Sequence, residues 1–477
     1  MADSLKFGTS GLRGLATDLV GSAARRYAAA FVRHLQATGQ GGSGRVYLAR
    51  DLRPSSPAIL RDCAVAVRAA GLEPVDCGVL PTPALALHAM ALGGAAVMVT
   101  GSHIPADRNG LKFYVPTGEI SKADEAGIAS ALTEEVPDGP ASAADAYPQA
   151  GDRYRQRYRG LLGTEALRGW RIGVFEHSSV ARDLLVSLLT RAGAEVIRLG
   201  RSEAFVPVDT EAFSDAVFAP RMEWIARHRL DAIVSTDGDG DRPLVIDAAG
   251  EFVRGDVLGM VAAHFVGVSK VVTPVTSNSA IEGVGWFTEV ERTRVGSPYV
   301  IAGMAKLGAA GAVVGFEANG GTLLGSDVVV DGHPLTALPT RDAVLPILAV
   351  LATAQRRGVS LAGLVQSLPV RAARSDRLAE VPGERSAELL RRLAEEPGYA
   401  AQFFAPVGEV QTVSSIDGLR FGLVSGDTVH YRASGNAPEL RCYVEGITHE
   451  RADELLQWGL DAAAAVVRDQ GGQDAQR

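Results

Sequence analysis

The sequence predicts an α/β protein of several domains: three similar α/β domains with mixed sheets, then a smaller C-terminal α+β domain. Three observations carry that expectation. Apolar strand-like runs alternate with helix-like runs over most of the 477 residues, the cadence of βαβ units. Three segments, AAVMVTGSHIPADRNGLKFYVP, DAIVSTDGDGDRPLVID and GAVVGFEANGGTLLGSD, each pass from a β-rich stretch through a polar, glycine-bearing loop into a second β-rich stretch. Their recurrence at roughly hundred-residue spacing suggests three copies of one unit. After about residue 370 the rhythm changes. At about 150 residues per domain the length asks for three or four domains.

In chain order, GRVYLARD (44–51) reads as a strand leading into a loop, SPAILRDCAVAVRAAGL (56–72) as a helix, and EPVDCGVL (73–80) as the next strand. The cadence returns in WRIGVFEH (170–177), the helical SSVARDLLVSLLTRAGAE (178–195) and VIRLG (196–200). It returns again in the strand KVVTPVTS (270–277) and the helix YVIAGMAKLGAAG (299–311). Beyond, RSDRLAEVPGERSAELLRRLAEEPG reads as charged helix, QTVSSIDGLRFGLVSGDTVHYRAS as alternating strands, and ERADELLQWGLDAAAAVVRD (450–469) as an amphipathic helix. Candidate linkers are EEVPDGPASAADAY (134–147) and the region near SLPVRAAR (367–374), and the tail GGQDAQR reads as disordered. The domains are therefore expected at 1–150, 151–257, 258–370 and 371–477.

Composition narrows the functional classes. Hydrophobic residues make up 47% and charged residues 21%, with a formal charge of −8, the profile of a soluble globular chain without the basic face that nucleic acid requires. A local cationic pocket for phosphate is still allowed. Three cysteines, Cys63, Cys77 and Cys442, make neither a disulfide framework nor a metal-ligand spacing, which points to reduced thiols in the cytoplasm. No signal pattern opens the sequence, and no apolar run approaches a membrane span.

The polar loops carry the chemistry. In VTGSHIPADRNGLKFY (99–114) a hydroxyl, Ser102, stands beside His103, and the loop also carries Lys112, a point charge suited to phosphate. Serine is a poor nucleophile unless its surroundings accept its proton or stabilise charge, and a plain polar turn is the alternative here. In DGDGDR, Asp237, Asp239 and Asp241 alternate with glycines that let the backbone curl. Three carboxylates so close repel one another without a cation, and oxygen ligands suit a hard dication, Mg²⁺ first. A calcium EF-hand is excluded because Arg242 and Ala248 stand where Gly and Glu are required; a solvated acidic turn remains the alternative. GFEANGG (315–321) offers Glu317 and Asn319 beside Gly320, a carboxylate and a carboxamide matched to sugar hydroxyls. YRASGNAPELRCYVE (431–445) offers Arg432, Ser434, Gly435, Asn436 and Arg441, a plausible anion cradle. FGTSGLRG (7–14) sets Arg13 between glycines, in a surface turn or near the same phosphate.

Taken together these segments resemble the α-D-phosphohexomutase superfamily, the phosphoglucomutases and phosphomannomutases, over nearly the whole length and in the expected order. The serine loop is SHIP, with Ile104 where the family has asparagine; DGDGDR matches the metal loop without change. GFEANGG has Asn319 where serine is usual, RASGNAP departs from Arg-Pro-Ser-Gly-Thr-Glu-Pro, and TRVGSPYV (293–300) has Ser297 where His or Asp is usual. The resemblance implies four domains around a central cleft, bearing in turn the phosphoserine, the metal, the sugar site and a phosphate site. It implies a phosphoserine at Ser102, with Mg²⁺ held by Asp237, Asp239, Asp241 and the phosphate on Ser102. The implied activity is that of an isomerase, interconverting hexose 6-phosphate and hexose 1-phosphate, mannose in preference to glucose, through a hexose 1,6-bisphosphate that also serves as activator. Ser102, His103, Lys112 and Arg13 are the implied catalytic residues, with Lys112 managing the sugar hydroxyl's proton. Arg242, Glu317, Asn319, Gly320, Arg432, Ser434, Gly435, Asn436 and Arg441 are the implied substrate contacts. The expected state is monomer or homodimer. The rival readings are a Mg²⁺-dependent sugar-phosphate phosphatase and a non-catalytic sugar-phosphate-binding protein.

Overall fold

Buried strands ending in polar loops organise the computed structural model, which describes residues 4–8, 11–139, 147, 149–210, 215–309, 311–434 and 438–469, with only the backbone of 215, 216, 468 and 469. The chain divides into two compact units: Met1–Val272, Trp286–Val290 and Gly296–Ser367 form one; Thr273–Gly285, Glu291–Val295 and Leu368–Arg477 form the other.

In the first unit a seven-stranded sheet runs in the order Lys6–Gly8, Gly11–Leu15, Arg108–Val115, Ala95–Val99, Arg45–Arg50, Glu73–Val79, with Gly118–Glu119 paired to Arg108–Val115. Arg45–Arg50 is parallel to both neighbours, whereas Ala95–Val99 and Arg108–Val115 are antiparallel. The sheet is therefore mixed. AAVMV is buried at every position, as an uninterrupted apolar run between two strands should be. The helices Ser22–Ala37 and Ser56–Ala69 cover it with Ala28, Phe31, Leu35, Ile59 and Cys63. A second sheet orders Pro243–Asp247, Ala232–Thr236, Arg171–His177 and Glu195–Arg201. In a third, Val313–Phe316 lies parallel to Lys270–Pro274 and antiparallel to Thr322–Leu324, which pairs with Leu338–Asp342.

The three similar segments form the same hairpin. Ala95–Val99, Ala232–Thr236 and Val313–Phe316 each end in the polar loop, and the chain returns antiparallel as Arg108–Val115, Pro243–Asp247 and Thr322–Leu324. Each loop thus sits at the carboxyl end of a strand, where α/β sheets bind ligands.

Four details differ from the sequence reading. Lys112 stands within the strand Arg108–Val115 rather than on the turn, because Asn109 and Gly110 join the sheet ladder opposite Gly14 and Arg13. The helix expected over 178–195 is Arg182–Arg191; Ser178 and Ser179 turn their hydroxyls to Val206 N and Thr236 Oγ1 instead, a local bonding that competes with helix. The strand expected over 270–277 ends at Pro274. RSDRLA belongs to a strand, Ala372–Ala379, in register with Glu439–Gly446 along its whole length; that pairing overrides its helical composition.

The second unit carries an antiparallel sheet in the order Ala372–Ala379, Glu439–Gly446, Thr428–Ala433, Leu419–Leu423, Val410–Ser414. Helices Gly383–Glu395, Tyr399–Phe404 and His449–Asp469 accompany it, around a core that includes Leu389, Phe404, Phe421, Tyr431 and Leu455.

Candidate active site

Ser102 occupies a conformation that its loop imposes. Its φ is 55°, the left-handed region that non-glycine residues rarely enter. Its N–H donates to Thr100 Oγ1 at 2.8 Å, and that hydroxyl donates to Asp51 Oδ2 at 2.8 Å. Arg53 Nη2 takes the Ser102 carbonyl at 3.0 Å. With its backbone tied, the side chain points at the second loop, where Ser102 Oγ donates to Asp237 Oδ2 at 2.5 Å.

Glycine makes that second loop possible at two places. Gly240 adopts φ +74°, and a Cβ on Gly238 would stand 2.9 Å from the Ser102 carbonyl. Asp237, Asp239 and Asp241 are buried, with ligand oxygens within 4.8 Å of one another. Asp239 Oδ1 has no hydrogen-bond partner among the described residues. An all-oxygen cluster with an unmatched buried oxygen fits a hard dication, so the triad could hold a metal ion. Burial and the carboxylates of Asp239 and Asp241 push the Asp237 carboxyl well above its ordinary range. Burial acts the same way on Asp241, but Arg341, Lys112 and Arg242 outweigh it and hold that carboxyl low.

Four cations surround this acidic loop. Lys112 Nζ donates at 2.6 Å to both Asp239 Oδ2 and Asp241 Oδ2. Arg242 lies with Nε 3.9 Å from Asp241 Oδ1, while its backbone N–H donates to Asp237 Oδ1 at 3.2 Å. Arg13, half-buried on the strand Gly11–Leu15, has its guanidinium lowered to about 10 by burial, then by Arg242 and Arg341. Arg341, which the sequence reading missed, donates from Nε to Asp241 Oδ2 at 3.1 Å and from Nη1 to Glu317 Oε2 at 3.1 Å. It bridges the acidic loop to the carboxylate of the third loop. The Arg-Asp pair that closes the otherwise uncharged strand Leu338–Asp342 was its only local signal. His103 Nδ1 is 3.3 Å from Ser102 Oγ. Burial, then Arg242 and Arg13, lower its imidazole to about 2, which keeps it neutral.

The third loop joins this group. Glu317 is buried on Arg341, and Asn319 Oδ1 accepts from Gly321 N at 3.0 Å, so the carboxamide braces its own turn. Gly320 has φ +85° and packs against Gly255 and Pro243. Ser297 Oγ donates to Glu119 Oε2 at 2.7 Å, and Thr340 Oγ1 to Glu119 Oε1 at 2.6 Å. Ser102, His103, Lys112, Arg13, Arg242, the three aspartates and Glu317 are thus linked in the first unit.

In the second unit Arg432 and Arg441 face each other across paired strands. Arg432 Nε lies 2.9 Å from Asp417 Oδ2, and Arg441 Nη2 lies 3.6 Å from Glu439 Oε2. Ser434 N–H donates to the Glu439 carbonyl at 2.9 Å. Gly435 and Asn436 lie outside the described residues.

No helix among the described residues is long and apolar enough to cross a membrane. Residues 4–137 match the family model for phosphoglucomutase/phosphomannomutase α/β/α domain I, and residues 254–371 that for domain III. The chain is 48% identical over 464 residues to a phosphomannomutase of Sinorhizobium fredii, covering 95% of this chain and 98% of that one. It is 42% identical over 459 residues to a phosphomannomutase of Salmonella muenchen, covering 95% and 94%. A phosphoglucomutase/phosphomannomutase family protein from Burkholderia thailandensis shares the fold, with a TM-score of 0.77 at 22% identity and 96% of each chain covered. Such relatives do not favour the phosphatase reading. With its acidic triad beside a tethered serine and nearly full-length likeness to mutases, this chain is a phosphohexomutase, an isomerase, and belongs to the phosphoglucomutase/phosphomannomutase family.

Proposed function

We propose that the chain interconverts mannose 6-phosphate and mannose 1-phosphate through a phosphoserine at Ser102 and a mannose 1,6-bisphosphate. The observation that carries this reading is the meeting of Ser102 Oγ with the acidic triad, 2.5 Å from Asp237 Oδ2. Mannose is supported by the two relatives named phosphomannomutase. Phosphoserine passes its phosphoryl group to the free sugar hydroxyl: the Oγ–P bond breaks, a sugar O–P bond forms, and the hydroxyl's proton ends on Ser102 Oγ, a transfer that Lys112 manages. The bisphosphate then turns over, and the other phosphate returns to Ser102, so a hexose 1,6-bisphosphate from solution would re-arm an unphosphorylated enzyme. Mg²⁺ held by Asp237, Asp239, Asp241 and the serine phosphate would offset charge developing on the transferred group. Arg13 and Arg242 add cationic support, His103 orients the serine oxygen as a neutral imidazole, and Glu317 and Asn319 grip sugar hydroxyls at the turn shaped by Gly320.

Arg432, Ser434, Gly435, Asn436 and Arg441 take the phosphate that is not being transferred. Arg432 and Arg441 occupy directly opposed strand positions, each steadied by a carboxylate, Asp417 and Glu439, a placement that would let two guanidiniums share one anion and supports the assignment. The reading keeps the four domains at 1–150, 151–257, 258–370 and 371–477, the first three each supplying one strand–loop–strand hairpin. It describes a cytoplasmic enzyme, monomer or homodimer; three free buried cysteines suit a reducing compartment.

Coupled assays on mannose 1-phosphate, glucose 1-phosphate and glucosamine 6-phosphate at matched concentrations, with and without added hexose 1,6-bisphosphate, test it. A clear advantage for mannose phosphate and stimulation by bisphosphate are expected. A large advantage for glucose phosphate overturns the mannose assignment, and stoichiometric release of inorganic phosphate without isomer overturns the mutase mechanism.

A further inference from the structure

One side chain outside all the loop motifs holds the nucleophilic turn. Arg53, with 1% of its surface exposed, has every N–H of its guanidinium engaged. Nε donates to Asp51 Oδ2 at 3.1 Å. Nη1 donates to the carbonyls of Pro105 at 2.6 Å and Arg108 at 2.9 Å. Nη2 donates to those of Ser102 at 3.0 Å and Ile104 at 2.6 Å. Four carbonyls between residues 102 and 108 therefore converge on one planar cation. The guanidinium carbon lies 4.1 Å from the centroid of the Phe205 ring. A Cβ on Gly101 would stand 2.6 Å from Arg53 Cζ, so the residue before the serine must be glycine for the arginine to reach.

Asp51 completes the hold. Its Oδ1 accepts from Arg53 N at 3.0 Å and Ser56 Oγ at 2.6 Å, while Oδ2 accepts from Thr100 Oγ1, whose oxygen in turn takes Ser102 N–H. The carbonyl and the N–H of Ser102 are both tied back to the Asp51–Arg53 pair, and Oγ is left to reach Asp237 of the acidic loop.

We propose that Arg53 is a positioning residue for phosphoryl transfer: through the Ser102 backbone, with Asp51 and Thr100, it sets the direction from which the serine oxygen meets the hexose phosphate. This rests on the reading of Ser102 as the phosphoryl carrier. Arg53 governs the rate of transfer and not the grip on sugar, since its donors all end on protein acceptors. Lysine cannot replace it, because an ammonium is a point charge without the planar fork that spans four carbonyls and a carboxylate.

The test compares wild type, Ser102→Ala, Arg53→Lys and Thr100→Val, full-length and with Mg²⁺, on mannose 1-phosphate. It follows kcat and KM, the rate of phosphate uptake from hexose 1,6-bisphosphate by intact mass, and the folded fraction by circular dichroism. For Arg53→Lys we expect KM within about threefold of wild type, and kcat and phosphate uptake per folded molecule both reduced roughly 100-fold, as displacement of a reacting atom by about an ångström costs. Thr100→Val unties the Ser102 N–H and removes one donor to Asp51 Oδ2 while leaving the Arg53 fork in place, and should show the same split to a smaller degree; it carries the test if Arg53→Lys does not fold. Retention of kcat and uptake within about threefold in the folded variants overturns the proposal, as does a loss confined to KM. Wild type that takes up no phosphate, or Ser102→Ala that takes up as much, overturns the phosphoserine reading itself. Normal uptake by wild type with unaltered Arg53→Lys and Thr100→Val overturns the positioning role alone.

Discussion

Ser102 and Asp237 stand 135 positions apart in the chain, yet the serine hydroxyl donates to the aspartate at 2.5 Å. The contact forms because two glycine-bearing turns approach backbone to backbone, Gly238 lying against the Ser102 carbonyl. It places a hydroxyl at the rim of three buried carboxylates, whose mutual repulsion Lys112 and Arg341 offset at Asp239 and Asp241 but which, with burial, still pushes Asp237 up.

Asp237→Asn should therefore separate stability from activity. Burial and two neighbouring carboxylates already push this carboxyl up, so the neutral amide should raise the thermal midpoint of metal-free protein while cutting kcat by roughly 10²–10³-fold, the scale of losing a transition-state electrostatic group. Added Mg²⁺ should raise the midpoint of wild type and leave that of the variant unchanged. A drop in the metal-free midpoint contradicts this account.

Arg341→Met should be among the most damaging single changes. It leaves the carboxylates of Glu317 and Asp241 in a buried site without their shared guanidinium, a loss of about 3–5 kcal/mol for a broken buried pair. The urea midpoint should fall accordingly. Glu317→Gln in the same background should cost less than it does alone, since the two residues share one interaction.

Gly255→Ala tests how closely the loop of Glu317 and Asn319, proposed to grip the sugar, is packed. The added methyl would collide with the backbone of Asn319 and Gly320, an overpacking worth about 1–3 kcal/mol. KM for hexose phosphate should rise, while uptake of phosphate at Ser102 should stay near wild type; the reverse pattern would place the sugar loop elsewhere.

Buried histidines, His88, His177 and His430 among them, make stability fall in mild acid. Burial lowers all three to about 4, against an ordinary value near 6.5. A group held neutral in the folded state is protonated first in the unfolded chain, so their contribution is full above about pH 6.5 and declines as pH falls toward 4. Neither ring nitrogen of His88 has a hydrogen-bond partner among the described residues. His88→Leu should therefore flatten the decline of thermal midpoint between pH 6.5 and 4, and an unchanged slope would show that the imidazole is solvated.

The three thiols should be silent in the native protein. Cys63, Cys77 and Cys442 are buried, and burial pushes Cys77 and Cys442 up to about 12 and Cys63 higher. An aromatic disulfide reagent should titrate none of them at neutral pH and all of them in denaturant.

Much of the candidate site was legible because its parts are short-range. Asp237, Asp239 and Asp241 crowd into five positions that only a glycine-bent turn accommodates, and strand–loop–strand patterning around Ser102, Asp237 and Glu317 is local hydrophobic periodicity. Lys112 was legible as a charge but misplaced on the turn, since the ladder that holds Asn109 and Gly110 is completed by the distant strand Gly11–Leu15. RSDRLA was misread for the same reason: its partner strand lies beyond residue 438.

By itself the sequence determined which residue types could carry phosphoryl chemistry, and the strands and turns that present them. The tertiary structure alone decided that Arg53 braces the serine turn, that Arg341 couples the acidic loop to Glu317, and that Lys112 bridges Asp239 and Asp241. An isolated arginine or lysine has no local signature. Its role is set by which acceptors folding brings within about 3 Å of it, and here those acceptors lie from 24 to 129 residues away along the chain.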